Sequence, residues 1–489
     1  MNAARDVPRA VFAFTRDLRI DDHAGLAAAA RHGEIVPVLV IDPVAAARLR
    51  RSPRRAAYYC AAVAALDRSL RERGSALIVR RGAPGPALRA LARAVGAGAV
   101  GWSCGYDPKT VRLDRDVQST LEEAGLRAVP VHDAPAIPPE DAAVGHHRGE
   151  GYRAFVPYHA RWRSLLPPAD AGSATFAAIE IASEPLPVPE EFGSSARVAE
   201  PVGEEAARAK LAAYLAGPVL HYGVARNVPG AGETSHLAAE LSFGTIAGRT
   251  VARATCERSA DPFLLVEERA SLKLFLRALA QRDFFLQLAW YNESLVEEPL
   301  QQKMRGFAFA RTHPHLDAWR SGRTGFPLVD AGIRELRATG WMHPRLRAVT
   351  ASFLCFDLSV DWRVGRDEWD HYLIEDDPAL ATGNWQWIAA VGADLAAYPR
   401  IYNPLKQARR FDPTGAYVRR WIPELAGAPD VAILDPLLAR HERQLQLPLF
   451  GQTGYPMPVL DHEQAARAFL ARYAREVRAP AVPGGSATA

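Results

Sequence analysis

Short apolar runs alternate with longer stretches of helical spacing over the first quarter of the chain. The runs cover residues 10–14, 35–41, 76–79, 99–102 and 128–131, and between them residues 54–73 and 86–95 are rich in Ala and Arg at helical spacing. Apolar runs of this length suit strands buried on both faces, and strands separated by helices imply a parallel sheet. Residues 1–133 are therefore expected to form a doubly wound α/β domain, whose ligands sit beyond the carboxyl ends of the strands. From 134 to 203 the pattern weakens: Pro138-Pro139, Pro167-Pro168 and Pro185-Leu186-Pro187-Val188-Pro189 interrupt regular structure, leaving a connector with one helical piece at 152–165. Residues 204–478 show apolar spacing near 3.6, as in 263–290 and 463–477, and predict an all-α domain. The tail 479–489, made of Pro, Gly, Ser and Ala among few others, has little to bury and is expected to be disordered.

Length agrees with more than one domain, since 489 residues exceed the roughly 250–300 at which single cores stop growing. The net charge is only +4, and of the 59 basic residues 54 are Arg and five Lys. Arg is the better fork for phosphate, although such a bias also follows from genome composition. Cys60, Cys104, Cys256 and Cys355 form no C-x-x-C pair, which argues against zinc, iron–sulfur or disulfide frameworks and fits a reducing cytoplasm. No metal site is expected. No apolar run approaches the ~18–20 residues of a membrane span, so a cytoplasmic protein with no membrane partner is expected.

Candidate chemistry concentrates between 339 and 404, where Trp341, Trp362, Trp369, Trp385 and Trp387 share a segment with Arg345, Arg347, Glu375, Asp376 and Asp377. Rings mixed with opposed charges suit a large, flat, partly anionic cofactor. A Thr234-Ser235 pair with Leu237 behind it reads as a helix start, where free amides and two hydroxyls hold a phosphate, although such a pair is more often a plain cap. A second turn into a helix is Gly322-Arg323-Thr324-Gly325-Phe326-Pro327-Leu328-Val329-Asp330-Ala331. After Phe14 comes Thr15-Arg16-Asp17-Leu18-Arg19 rather than a Gly-rich phosphate loop, which argues against a nicotinamide-dinucleotide site there.

Arg16-Asp17-Leu18-Arg19, Thr234-Ser235, the 322–331 turn, Thr339-Gly340-Trp341-Met342-His343, Asp361-Trp362-Arg363, Trp385-Gln386-Trp387, Arg400-Ile401-Tyr402-Asn403-Pro404 and Phe411-Asp412-Pro413 together resemble the photolyase and cryptochrome family of flavoproteins. They follow that family's order over almost the whole chain. The resemblance implies an N-terminal antenna-type α/β domain and an all-α C-terminal domain that binds FAD. It assigns to FAD the positions Tyr222, Thr234, Ser235, His236, Leu237, Phe275, Arg282, Trp341, Arg347, Glu375, Asp376, Asp377 and Ala381, with Arg347 and Glu375 as an Arg–carboxylate pair beside the flavin ring. It assigns to DNA the positions Arg226, Gln281, Arg345, Trp387, Arg400, Lys406, Arg409 and Arg410; taken alone, Arg409-Arg410 is equally a solvated turn. A second, antenna chromophore of undecided identity is compatible with Cys104-Gly105-Tyr106-Asp107-Pro108, which lacks the family's Asn-Glu folate signature.

The activity implied is light-driven repair of cyclobutane pyrimidine dimers in DNA by an electron from reduced FAD, in a monomer. Trp385 and Trp362 match the first two members of the family's electron route, but Phe309 occupies the outermost position. Phe is much harder to oxidise than Trp, so the route is broken, shortened or redirected through Trp319 or Trp290. The substrate wall also departs. Ala278 and Gln281 stand where dimer photolyases place an acid and a Trp, Pro344 replaces a common Asn, Ala348 stands where Met or His is found, and Ala381 replaces a polar residue near the flavin N5. A cryptochrome-like blue-light receptor without repair is the alternative; (6-4) photoproduct repair is disfavoured because the expected His is Ala348.

Overall fold

Five strands form one parallel sheet in the computed structural model, which describes residues 7–143, 150–178, 180–393, 396, 398–435 and 454–478. They are β1 (Arg9–Phe14), β2 (Glu34–Ile41), β3 (Ile78–Arg81), β4 (Ala97–Ser103) and β5 (Arg127–Val131), in the order β3-β2-β1-β4-β5. Each expected run is a strand. β3 starts two residues late because the Leu77 amide donates to the Asp67 carboxylate at 2.9 Å instead of to a neighbouring strand. The period of two divides β1 between two cores. Ala10, Phe12 and Phe14 pack with Tyr58, Tyr59, Val63 and Leu66 of helix Pro53–Glu72, whereas Val11 and Ala13 join Leu88, Leu91 and Val95 of helix Pro84–Val95.

The chain order reverses between β1 and β4, the place where doubly wound sheets form a ligand crevice. Here Asp17 occupies it. Its carboxylate accepts from the Thr15 amide at 2.7 Å and the Ser103 hydroxyl at 2.5 Å, and lies 3.1 Å from His23 Nε2. The loop that lacks glycine is thus filled by its own side chain.

Beyond residue 203 the described residues hold no named strand, only an isolated bridge between Ala310 and Val360. The long periodic stretch is helix Val266–Tyr291, and the connector's helical piece is Phe155–Ser164. The last helix, His462–Tyr473, continues as a π-turn over Ala474–Arg478. The expected disordered tail lies outside the described residues. Contacts gather into two compact units, one of Met1–Arg226, Ala231–Val296 and Trp369–Gly383, the other of Asn227–Gly230, Glu297–Glu368 and Asn384–Ala489.

The 322–331 motif is a structural turn in the second unit. Gly325 takes φ 78° and has no room for a side chain, and Pro327 opens helix Pro327–Thr339 at its first position. Asp330 is fully buried and accepts from the Thr324 amide at 2.8 Å, the Thr324 hydroxyl at 2.7 Å, the Gly325 amide at 3.0 Å and the Tyr455 hydroxyl. Burial nevertheless pushes its carboxyl up to about 6 from 3.8. The folded state then takes up a proton that the unfolded chain refuses until pH falls further, so stability rises as pH falls through 6 towards 4. A rise of that size is worth roughly 2–3 kcal/mol at most. Asp330→Asn removes this titration. In urea unfolding at pH 7 and at pH 5 the wild type should gain on the variant at the lower pH; a difference independent of pH would refute the assignment.

Candidate functional site

In the first unit Tyr222 opens the short helix Tyr222–Ala225, with its ring edge-on to Phe275 at 5.5 Å and the Arg226 guanidinium 5.4 Å from its centroid. Phe275 is buried on helix Val266–Tyr291, and Tyr214 meets it at 5.1 Å. The Thr234-Ser235 pair does not begin a helix as expected. His236 takes a left-handed φ of 49°, and the five-residue helix Ala238–Ser242 starts only after it, with Leu237 buried as its anchor. Any anion held here rests on side-chain hydroxyls more than on a helix end. Thr234 Oγ1 and the Tyr214 hydroxyl are buried without a hydrogen-bond partner among the described residues. Leaving a hydroxyl so costs about 1–3 kcal/mol, which a phosphate oxygen or other acceptor relieves.

The acidic loop 375–377 is clamped by arginines. Arg55 donates to Asp370 at 2.8 Å and to the carbonyls of Leu373 at 3.3 Å and Glu375 at 3.0 Å. Arg16 donates to the Asp376 carbonyl, and the Asp376 amide donates to Ser242 Oγ at 2.8 Å. Burial opposes the charge on Asp376, yet Arg48, Arg55 and Arg16 hold its carboxyl below the ordinary range. For Asp377 burial wins over Arg16 and Arg282, and the carboxyl is raised. Asp377 also caps helix Pro378–Ile388: its carboxylate accepts from the Leu380 amide at 3.2 Å and its carbonyl from the Ala381 amide at 2.9 Å. Arg282 is engaged by the carbonyls of Ala134 at 2.8 Å and Leu241 at 3.1 Å, with half-buried Gln281 beside it on the same helix.

Arg347 and Trp341 belong to the second unit, whereas Glu375 belongs to the first. Arg347 Nε donates to the Met342 carbonyl at 2.9 Å, and the half-buried Trp341 ring stands 6.1 Å from His343. Pro344 follows the His343 cap as the first residue of helix Pro344–Ser352, a position proline fits, and Ala348 lies one turn later. Arg345 donates to Asn227 and covers Phe411 at 4.7 Å, so it also has a packing role. Arg409 and Arg410 lie in a helix, Pro404–Phe411, rather than in a turn. Exposed Lys406, Arg409 and Arg410 stand at i, i+3 and i+4 and share one face, with Arg409 paired to Asp435. Arg400 is exposed just before it.

Trp385 is buried against the second unit's helix Trp362–Trp369. A Cβ on Gly365 would come 2.2 Å from Trp385 Cη2 and 2.4 Å from Leu354. Sequence reasoning missed Gly365, although a lone glycine inside a helical pattern is a known sign of close approach. Trp362 is fully buried, with the guanidiniums of Arg363 and Arg366 at 4.9 and 5.1 Å from its ring. Phe309 joins a phenylalanine cluster, 4.8 Å from Phe307 and 6.1 Å from Phe469. Of the two detours, Trp319 is a core residue and Trp290 is half-buried. Trp319 is wholly buried and donates to the Thr350 carbonyl at 3.0 Å, and Trp290 packs in the first unit on His132 at 4.5 Å. Among the described residues no cluster suits a metal ion, and no helix is long and apolar enough to cross a membrane.

Residues 10–179 match the family model described as DNA photolyase, and residues 275–475 match the one described as the FAD binding domain of DNA photolyase. A deoxyribodipyrimidine photo-lyase of Halobacterium salinarum is 34% identical over 483 residues, covering 95% of this chain and 98% of the relative. The chain belongs to the photolyase and cryptochrome family. A bacterial class III photolyase from Agrobacterium tumefaciens superposes with a TM-score of 0.83 at 28% identity, covering 98% of this chain and all of that one. A Synechocystis cryptochrome gives 0.83 at 26%, covering 97% and 100%. The two-domain fold of the family is thereby present, and FAD is its cofactor.

Gly365→Ala tests the placement of Trp385. The methyl group must displace the indole or Leu354, at a cost of about 1–3 kcal/mol. We expect a lower melting temperature together with slower photoreduction; wild-type values of both would show that Trp385 has room to spare.

Proposed function

We propose that this chain is an FAD-dependent photolyase that repairs cyclobutane pyrimidine dimers in DNA with light. The observation that carries the reading is the division of labour on helix Pro378–Ile388. Trp385 is buried against Gly365, while half-buried Trp387 comes two residues later, about 200° round the helix. One indole is thus packed in the protein interior, as an electron donor needs, and the other is half-buried on a different side of the helix, where part of its ring is open to a stacking base.

The groups around Thr234 and Tyr214 fit FAD, because partnerless buried hydroxyls suit its phosphates or ribityl oxygens. Within the first unit, Tyr222, Phe275, Ser235 and Leu237 would line that end, and Glu375 and Asp377 the ring. Bound and reduced, FAD supplies light absorption and the electron that opens the dimer. The chain's own residues position it and keep water out. Asp377, buried with its carboxyl raised above the ordinary range, accepts from the Leu380 amide and so holds the start of helix Pro378–Ile388 beside the ring. Lys406, Arg409, Arg410 and Arg400, with Arg226 and Arg345, would contact phosphates, giving salt-dependent binding without sequence preference. We take the protein to act as a cytoplasmic monomer that carries a second, antenna chromophore of undecided identity.

The alternative, a blue-light receptor without repair, is favoured by Ala381, whose side chain offers nothing polar to the flavin. Illuminating reduced protein with a dimer-containing oligonucleotide decides. Thymine absorbance should recover in light and not in the dark; no recovery with FAD bound and reduced would leave the receptor reading. Glu375→Ala should lower the flavin retained after gel filtration several-fold, and a fully loaded variant would remove Glu375 from the cofactor site.

A further inference from the structure

An electron hole arriving at Trp362 has no resting place there. The indole N–H is buried without a hydrogen-bond partner among the described residues, so the oxidised ring has no acceptor for its proton. Its guanidinium neighbours are held in ion pairs, Arg363 to Asp361 at 2.7 Å and Arg366 to Asp367 at 3.0 Å. Phe309, next along the family's route, is too hard to oxidise to take the hole.

The second unit nevertheless carries an aromatic path to the surface. The Asp361 amide donates to the Ala310 carbonyl at 2.8 Å and the Ala310 amide to the Ser359 carbonyl at 3.0 Å, which ties the backbone beside Trp362 to that beside Phe309. From Phe309 the ring centroids run 4.8 Å to Phe307, 6.4 Å from Phe307 to Tyr473, and 6.3 Å from Tyr473 to Tyr398. Tyr473 is 2% exposed and Tyr398 48%.

Given that the protein is a flavin enzyme of the kind proposed, we propose that Tyr473 and Tyr398 form the outer end of its photoreduction route, with Phe307 and Phe309 as the apolar gap crossed by tunnelling. Light draws one electron from Trp385 to the bound cofactor. Trp362 refills Trp385, and Tyr398 refills Trp362 across the rings of Phe309, Phe307 and Tyr473. The Tyr473 hydroxyl lies 3.3 Å from Lys303 Nζ, an ammonium that accepts no proton, so Tyr473 is never left oxidised and serves as a bridge rather than a stop. Tyr398 meets water and releases its phenolic proton to it, leaving a neutral radical. A soluble thiol then restores the phenol by giving one electron and one proton, and is itself oxidised.

Flash excitation of the oxidised holoprotein, followed by transient absorption and electron paramagnetic resonance, tests this. The wild type should show a long-lived neutral tyrosyl signal, and Tyr398→Phe should lose it. Tyr398→Phe should also lower the thiol-dependent photoreduction rate by about tenfold or more. Adding Phe309→Trp to Tyr398→Phe should restore the rate with a tryptophan signature, which a merely structural role of Tyr398 would not allow. Unchanged radical and rate in the Tyr398→Phe/Tyr473→Phe double variant would overturn the route. Flavin content and repair by chemically reduced wild type, measured on the same preparation, test the functional reading separately, since chemical reduction bypasses every tyrosine.

Discussion

The buried carboxylate of Asp133 fixes the part of the first unit on which the candidate site depends. It accepts from Arg19 at 2.6 Å, Arg249 at 3.0 Å and the Ala24 amide at 2.9 Å, and although burial opposes the charge, Arg19, His23 and Arg249 hold the carboxyl far below its usual range. A buried ion pair is weak as net stabilisation but costly to break, because removing one partner strands the other; about 3–5 kcal/mol is typical. Through Arg19 this constraint reaches outward. Arg19 also donates to the Gly244 carbonyl at 3.1 Å, and the Leu18 amide donates to the Phe243 carbonyl at 3.0 Å. Gly244 has φ 62°, and a Cβ there would come 2.5 Å from the Arg16 carbonyl oxygen, so the two backbones meet where only glycine fits.

That close approach places the acidic loop. Ser242, two residues before Gly244, takes the Asp376 amide, and Arg16, from the β1 loop, takes the Asp376 carbonyl. The loop in turn caps the helix that carries Trp385 and Trp387. The motif Arg16-Asp17-Leu18-Arg19, among the clearest family marks in the sequence, is therefore a positioning device. Its arginines and aspartate hold backbone, and none of them needs to touch substrate. The same framework drives two adjacent carboxyls apart, Asp376 kept charged by three arginines and Asp377 biased towards its proton. Two neighbours alike in sequence thus differ in how readily each keeps its charge, by what surrounds them.

The sheet was legible because a buried parallel strand needs a continuous apolar run, and each of the five runs supplied one. Helices of the second half were legible for the same reason, by their 3.6 period. What escaped were features set by tertiary geometry. His236 in a left-handed conformation delayed the helix expected at Thr234, and the Asp67 carboxylate delayed β3, neither of which a local pattern reports. Arg409 and Arg410, favoured from sequence as phosphate contacts and readable as a solvated turn only when taken alone, lie in a helix that Asn403 caps by accepting from the Lys406 amide at 3.0 Å. Candidate site residues came from motif resemblance, which named Trp385, Trp362 and Phe309 but had no means of finding Gly365 under the Trp385 ring or Tyr473 beside Phe307. Those depend on residues distant in the chain meeting in space.

Repair and signalling draw on the same electron chemistry, so the aromatic route does not separate them. The difference must lie where DNA is met. Losing one stacking aromatic at Gln281 weakens recognition by roughly 1–3 kcal/mol per base, one or two orders of magnitude in affinity. Phosphate contacts act differently, since each releases counterions and the contributions accumulate along a charged face. A helix that shows Lys406, Arg409 and Arg410 on one side, next to exposed Arg400, retains that cumulative term even where the substrate wall has changed. Arg409 is also paired with Asp435 and Arg410 lies 5.1 Å from the Phe411 ring, so part of this charge is used within the protein, while the stripe as a whole stays exposed. The basic helix therefore weighs towards repair more than the altered wall weighs against it.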